Sequence, residues 1–156
     1  MSLAYQKLIN PVVMWMFVIV GIAASFIVVP AGYIFEPTFS RLFILFGIIY
    51  WPYFYLNAVY VNTEAIKSAS AVEKLITHGV YGTVRHPMYS ADLVLAWSAF
   101  FYAPDLRMLF SVLWTTGVIF LWIEVEETVL TGKFGNKYKE YKLQVPKIIP
   151  RLHRRK

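Results

Sequence analysis

LINPVVMWMFVIVGIAASFIVVPAGYIF, residues 8–35, is a run of 28 residues without one charge. Stretches of about 18 or more apolar residues read as membrane-crossing helices. Pro11 suits a first helical position and Pro30-Ala31-Gly32 breaks a helix, so the run predicts a span over about 12–29. Lys7 and the small triplet Ala23-Ala24-Ser25 resemble parts of a cleaved leader. The triplet lies inside apolar sequence that continues to Val29, so a retained span is expected. Leu42 to Thr63 forms a second uncharged run, 22 residues long, and predicts a helix over about 39–61 kinked at Pro52.

The whole chain is built in the same way. Of its 156 residues 58% are hydrophobic and 15% charged, against about 45–50% and 25% in soluble domains. These values exclude a soluble globule, a disordered chain and a fibrous repeat. There is no cysteine, which removes disulfides, thiolate nucleophiles and cysteine metal sites. The net charge of +6 is uneven: residues 128–156 hold nine Lys/Arg and one acid, Glu140. A basic tail after a span suits an anionic bilayer surface, and no nucleic-acid partner is expected.

A third apolar segment, about 90–103, has 14 residues and covers only about 21 Å as helix. It crosses with the help of Met88-Tyr89 or stops short inside the protein. A fourth runs over about 106–123 and on into Glu124, Glu126 and Glu127. The reading is an all-α polytopic membrane bundle of about four transmembrane helices, a single membrane-embedded unit over 1–156. Residues 1–61 supply two N-terminal spans, and 62–156 the half that carries the chemistry. Thirteen Lys/Arg fall on the side of the N-terminus, the 62–89 connection and the tail, against Arg41 and Arg107 on the other. Both termini are therefore expected in the cytoplasm.

Tyr50, Trp51, Tyr53, Phe54, Tyr55 and Tyr60 crowd the second span; an interfacial aromatic belt is the first expectation and a pocket wall the second. In the tail, Phe134, Tyr138, Tyr141 and Val145 recur at i, i+4, i+7 and i+11 and share one helical face. That C-terminal amphipathic segment can fold over a site by Tyr138 and Tyr141. Lys137, Lys139, Lys142 and Lys147 can anchor it to anionic lipid, and Arg154-Arg155-Lys156 is expected to be a frayed end.

Ionisable groups come close to membrane depth in two places: Thr77 to Tyr89, and Glu124-Val125-Glu126-Glu127. The third and fourth spans, joined by the turn Pro104-Asp105, must be antiparallel, so Arg85, His86 and Tyr89 come near the glutamates. The plainest outcome is that the glutamates pair with Arg85 and Lys133. His78, His86 and a glutamate lack tight ligand spacing, so no metal is expected.

The run Leu75-Ile76-Thr77-His78-Gly79-Val80-Tyr81 with Val84-Arg85-His86-Pro87-Met88-Tyr89 resembles the signature of the isoprenylcysteine carboxyl methyltransferase and phospholipid methyltransferase superfamily. Glu126-Glu127, Leu130, Phe134-Gly135, Tyr138, Tyr141, Val145-Pro146 and Pro150 resemble its second motif. The likeness covers about residues 72–150; before that only hydrophobicity matches. It implies methyl transfer from S-adenosylmethionine inside the membrane to a lipophilic or prenylated small molecule. It implies Gly79, Tyr81, His86, Pro87, Tyr89, Glu126 and Glu127 as cofactor-binding residues, and Arg85 and His86 as catalytic ones. Arg85 would take the cofactor carboxylate or orient the substrate.

The chemistry of these residue types agrees. Carboxylates suit the cofactor's ammonium through charge-assisted hydrogen bonds, and aromatic faces suit its sulfonium. His86 is the nearby side chain suited to remove a proton from a thiol or ammonium acceptor. Adjacent glutamates point about 100° apart on a helix, so one is expected to face the pocket and the other to hold the tail. Members of the superfamily often carry glycine soon after His-Pro-x-Tyr, where this chain has Ser90-Ala91-Asp92. Asp92 is expected to pair with Arg85, with contact to cofactor or substrate as the other reading. Sterol reductases share a similar Arg-His-Pro-x-Tyr element and use NADPH in much longer chains, and a non-enzymatic membrane scaffold is the third reading.

Overall fold

The computed structural model describes residues 10–36, 40–66 and 68–151. Lys7 and Lys67, two of the orientation charges, lie outside them, as does the terminal Arg154-Arg155-Lys156. The described residues hold five α-helices: α1 Pro11–Val28, α2 Ser40–Val61, α3 Pro87–Tyr102, α4 Leu106–Phe134 and α5 Asn136–Gln144. Two short 3-10 turns, Thr63–Ile66 and Gly79–Gly82, shape the connection between α2 and α3.

Local chemistry sets most of the ends. Asn10 caps α1 by accepting from the Val12 N–H at 3.0 Å, and Pro11 opens the helix. α2 runs through Pro52, whose ring removes one hydrogen bond from the ladder. Asp105 caps α4 by accepting from the Arg107 N–H at 2.8 Å. Gly135, at φ +58°, turns the chain out of α4 into α5.

Three helices are long and apolar enough to cross a membrane: Pro11–Val28, Arg41–Val61 and Leu106–Phe134. The protein is therefore a polytopic helical membrane bundle. α3, the short third segment, has 16 residues, about 24 Å of helix. α4 is the opposite case. Its 29 residues extend about 43 Å, beyond a hydrocarbon core of about 30 Å. Its last turns thus carry Glu124, Glu126 and Glu127 to the membrane boundary or past it.

α1 packs along α4, α2 packs along α3, and α3 meets α4. Met14, Tyr89, Leu93, Ile119 and Ile123 form one buried cluster, completed by Ile148 from the tail. Phe54, Ala58, Val80, Tyr81, Val84 and Ala91 form a second beneath α2. None of the aromatic crowd on α2 lines the cavity described below, so it is not a pocket wall; part of it is core. Tyr50, Trp51 and Tyr55 pack against the second cluster, of which buried Phe54 is part, while Tyr53 and Tyr60 are exposed. At the far end of the bundle, residues 30–36 are tied to the α3–α4 turn by Leu106 N–H to Gly32 O at 2.9 Å and Ile34 N–H to Pro104 O at 2.8 Å.

Candidate active site

The site forms where the start of α3 meets the end of α4, and α5 with the following strap closes it. Antiparallel α3 and α4 bring His86 and Tyr89 beside Glu126 and Glu127, and the tail crosses over them. Three bonds from the start of α3 hold the strap in place. The Arg85 N–H donates to Pro146 O at 2.8 Å, the His86 N–H to Lys147 O at 3.1 Å, and Ser90 Oγ to Ile148 O at 2.8 Å.

A cavity opens beneath this arrangement. Its polar wall is Tyr81, Arg85, His86, Tyr89, Glu126, Tyr138 and Tyr141; Pro87 and Met88 belong to the wall as well. The rest of the lining is Asn62 with the apolar Ala69, Val72, Leu75 and Ile76 from the connection and Leu130 from α4. Gly79 is not among the lining residues. It begins the 3-10 turn at φ +62°, in the left-handed region that glycine adopts freely, and packs near Val61.

The two glutamates divide the work. Glu126 lines the cavity; its Oε1 accepts from Tyr89 Oη at 2.8 Å and from Trp122 Nε1 at 3.1 Å. Glu127, 2% exposed, turns to the tail. Its Oε1 takes Arg85 Nε and Nη2, both at 2.8 Å, and its Oε2 meets Lys142 Nζ at 2.6 Å. The His86 ring stands between the pair, with Nε2 3.2 Å from Glu127 Oε1 and Nδ1 3.8 Å from Glu126 Oε2.

Arg85 is largely occupied by protein groups. Beyond Glu127, its Nη1 donates to the carbonyls of Lys142 and Val145. Three pairings differ from those expected. Lys133 donates to Ser70 O at 3.0 Å instead of meeting a glutamate, while α5 places Lys142 against Glu127. Lys142 and Lys147 pair with Glu127 and Glu124. Asp92 does not pair with Arg85, which Glu127 already holds; it accepts instead from Trp51 Nε1 at 2.8 Å.

Tyr138 and Tyr141 face inward from α5, and Tyr141 Oη donates to Tyr81 O at 2.6 Å. The hydroxyls of Tyr81 and Tyr138 are buried and have no hydrogen-bond partner among the described residues. Burial pushes the phenols of Tyr81, Tyr138 and Tyr141 up from their ordinary value, so all three are neutral donors at physiological pH. Trp122 and Lys142 were not singled out from the sequence as partners of the glutamates. Trp122 stands at i−4 from Glu126, a spacing that faces the same side of a helix. The Lys142 pairing depends on how the strap folds back and has no local signal.

Residues 23–137 match the family model of phospholipid methyltransferase. The methanethiol S-methyltransferase of Pseudomonas deceptionensis is 31% identical over 105 residues, 65% of this chain and 38% of that protein. Methanethiol S-methyltransferase 1 of Bradyrhizobium diazoefficiens is 32% identical over 90 residues, 58% of this chain and 31% of that protein. The chain thus spans about a third of the length of these curated relatives. The family match begins inside α1, where the sequence motifs alone gave no resemblance, and continues through both glutamates into α5. With a matching family model over most of its length, this chain belongs to the phospholipid methyltransferase family.

Proposed function

We propose that the chain is an integral membrane methyltransferase that uses S-adenosylmethionine and acts on a lipophilic or amphipathic small molecule. The observation that carries this is Glu126. It is a buried carboxylate on a cavity wall, held by two neutral donors and lacking a Lys or Arg partner among the described residues. A buried carboxylate whose nearest cationic neighbour is the His86 ring at 3.8 Å is costly, and a ligand ammonium supplies a closer partner through charge-assisted hydrogen bonds. The two unpartnered phenol hydroxyls of Tyr81 and Tyr138 fit the same ligand, whose ribose hydroxyls and adenine nitrogens can meet them. Membership of the methyltransferase family agrees with a methyl donor in this cavity.

When bound, S-adenosylmethionine supplies an electrophilic methyl group on a sulfonium. The chain's own residues bind and align. Glu126 holds the ammonium, and Tyr89 and Trp122 fix the carboxylate's orientation. His86 and Pro87 form the wall at the start of α3. Arg85 serves as a positioning residue: with Glu127 it fastens α5, which presents Tyr138 and Tyr141, and the strap that follows it. Methyl transfer is an in-line displacement, so alignment and exclusion of water by this closed tail supply most of the rate. The lysine-rich tail and the cavity face the cytoplasm in this reading, with both termini on that side. Relatives that methylate methanethiol support a small acceptor. No feature of the site favours the reductase or scaffold readings.

The test is thermal stability of the detergent-purified chain. A ligand that binds only the native state must stabilise it, so S-adenosylhomocysteine raises the melting midpoint. Glu126→Gln weakens that binding about 10–100-fold, the loss expected for a hydrogen bond to a charged group, while Glu124→Gln retains it. A shift with NADPH and none with millimolar S-adenosylhomocysteine would overturn the proposal.

A further inference from the structure

Ser25, Ser111, Thr116, Thr128 and Thr131 each donate a hydroxyl to the carbonyl four residues back in their own helix, the ordinary habit of a hydroxyl inside a helix. Ser90 does not. It lies on α3, 1% exposed, and donates to Ile148 O of the strap at 2.8 Å. A carbonyl only accepts, so the single hydrogen of that hydroxyl is used there. Tyr50 Oη of α2, 2.9 Å away, must then be the donor to Ser90 Oγ. A directed chain runs from Tyr50 through Ser90 to the strap and joins three elements at one buried point.

The residue this chain captures is the anchor of the strap. Buried Ile148 shares one cluster with Met14, Tyr89, Leu93, Ile119 and Ile123, while its neighbour Ile149 is 79% exposed. Tyr89, the residue before Ser90, is the donor that reaches Glu126 Oε1 at 2.8 Å. The strap is already fastened by the N–H groups of Arg85 and His86. What the Ser90 bond adds is the placement of Ile148 in the cluster that holds the Tyr89 ring. A phenol aims its hydroxyl only as well as its ring is held, and a close-packed interior transmits the shift of one member to the next. We propose that Ser90 and Ile148 are positioning residues: they set Tyr89 against Glu126 and so shape the place that takes a ligand ammonium. The inference rests on the methyltransferase reading and concerns how that same site grips the amino-acid end of the cofactor.

Two ligands read the joint at neutral pH: S-adenosylhomocysteine, which carries an ammonium, and 5′-methylthioadenosine, which keeps the nucleoside but lacks the amino-acid end. Both are titrated against the full chain in detergent. Ser90→Ala weakens S-adenosylhomocysteine about 3–10-fold, the worth of one neutral hydrogen bond, and leaves 5′-methylthioadenosine within about twofold. Ile148→Ala gives the same selective loss, and Ile148→Val, which keeps most of the volume, restores binding to within about twofold. Ile149→Ala, on the exposed neighbour, changes neither ligand. Tyr89→Phe removes the bond itself and weakens S-adenosylhomocysteine about 10–100-fold. Ser90→Ala added to Tyr89→Phe costs less than about twofold more, because the route through Tyr89 is already cut. Ser90→Ala removes a single oxygen, so it carries the test even where Ile148→Ala unfolds the chain. Equal loss of both ligands in Ser90→Ala, no loss of either, or losses that add to that of Tyr89→Phe overturn the inference and leave the cofactor reading standing. Absence of S-adenosylhomocysteine binding in wild type overturns the cofactor reading and the inference with it.

Discussion

The first two helices and the half that follows them are held by different forces. α1 and α2 turn most of their apolar surface outward: Ile27, Val28 and Leu42 are all more than half exposed, as lipid-facing residues should be. Lipid tails are as apolar as leucine, so hydrophobic burial does not drive these helices together, and close steric fit takes its place. Gly21 and Gly47 show that fit. A methyl group on Gly21 would fall 1.9 Å from Trp114 Nε1, and one on Gly47 would fall 2.6 Å from Ser98 Cβ. Past residue 62 the joints are electrostatic: Arg85, His86, Glu127 and Lys142 interlock and fasten the tail over the cavity. Shape holds one half and charge the other, and each can be disturbed separately.

The charged joint gives the largest expected effect. Glu127→Gln leaves Arg85 buried with two backbone carbonyls and no counter-ion. Breaking a buried pair from one side costs about 3–5 kcal/mol, seen as a lowered denaturation midpoint with release of α5. A loss below about 1 kcal/mol, the surface-pair range, would mean that the strap is held by its backbone bonds instead.

Steric fit gives the next. Gly21→Ala overpacks the α1–α4 contact and displaces the Trp114 Nε1 bond to Phe17 O, 2.9 Å long, for about 1–3 kcal/mol. Gly117→Ala on the same α4 meets nothing within 4 Å and should be neutral or stabilising by up to about 1 kcal/mol. Equal effects from both would remove shape as the explanation. A smaller effect separates cavity from scaffold. Tyr138→Phe removes a buried hydroxyl without a partner, raising the ligand-free midpoint by about 1 kcal/mol equivalent. The same change narrows the shift given by S-adenosylhomocysteine, so stability and binding move in opposite directions.

The two halves were also unequally legible. The helices of the first half announce themselves by length and absence of charge, and α1 and α2 lie within a residue of the limits read from Pro11, Pro30 and Val61. α3 begins earlier than its apolar run, at Pro87, because proline suits the first turn and Met88-Tyr89 extend the apolar face. That Arg85, His86 and Tyr89 would meet the glutamates followed from the two-residue turn at Pro104-Asp105. Which glutamate does what did not follow. Adjacent side chains on a helix differ only in direction, and what each direction meets depends on the fold: Arg85 and Lys142 of α5 take Glu127, and Glu126 is left to the cavity. Asp92 was misread for the same reason: its spacing from Arg85 was visible, but Trp51 reaches it from a helix distant in sequence.

The end of the bundle away from the cavity offers the mildest probe, because there the two halves meet without either device. Asp105 Oδ2 accepts from the Gly32 N–H and Oδ1 from the Arg107 N–H, both at 2.8 Å, so one carboxylate ties the loop after α1 to the start of α4. The Gly32 bond, followed by the Arg107 bond, holds its carboxyl below the usual value. A carboxylate with a depressed native value contributes stability above its unfolded value of about 4, and loses that contribution as pH falls through the native one. Wild type should therefore melt above Asp105→Asn at neutral pH. The gap between the two midpoints should begin to narrow as pH drops below about 4 and close once pH passes the lower native value, where both side chains are uncharged. Solvent screening keeps the gap small, and salt should narrow it further. A gap independent of pH would show that the amide fails for shape and not for charge, which would place this joint with the steric contacts of α1 and not with the ionic ones of the tail.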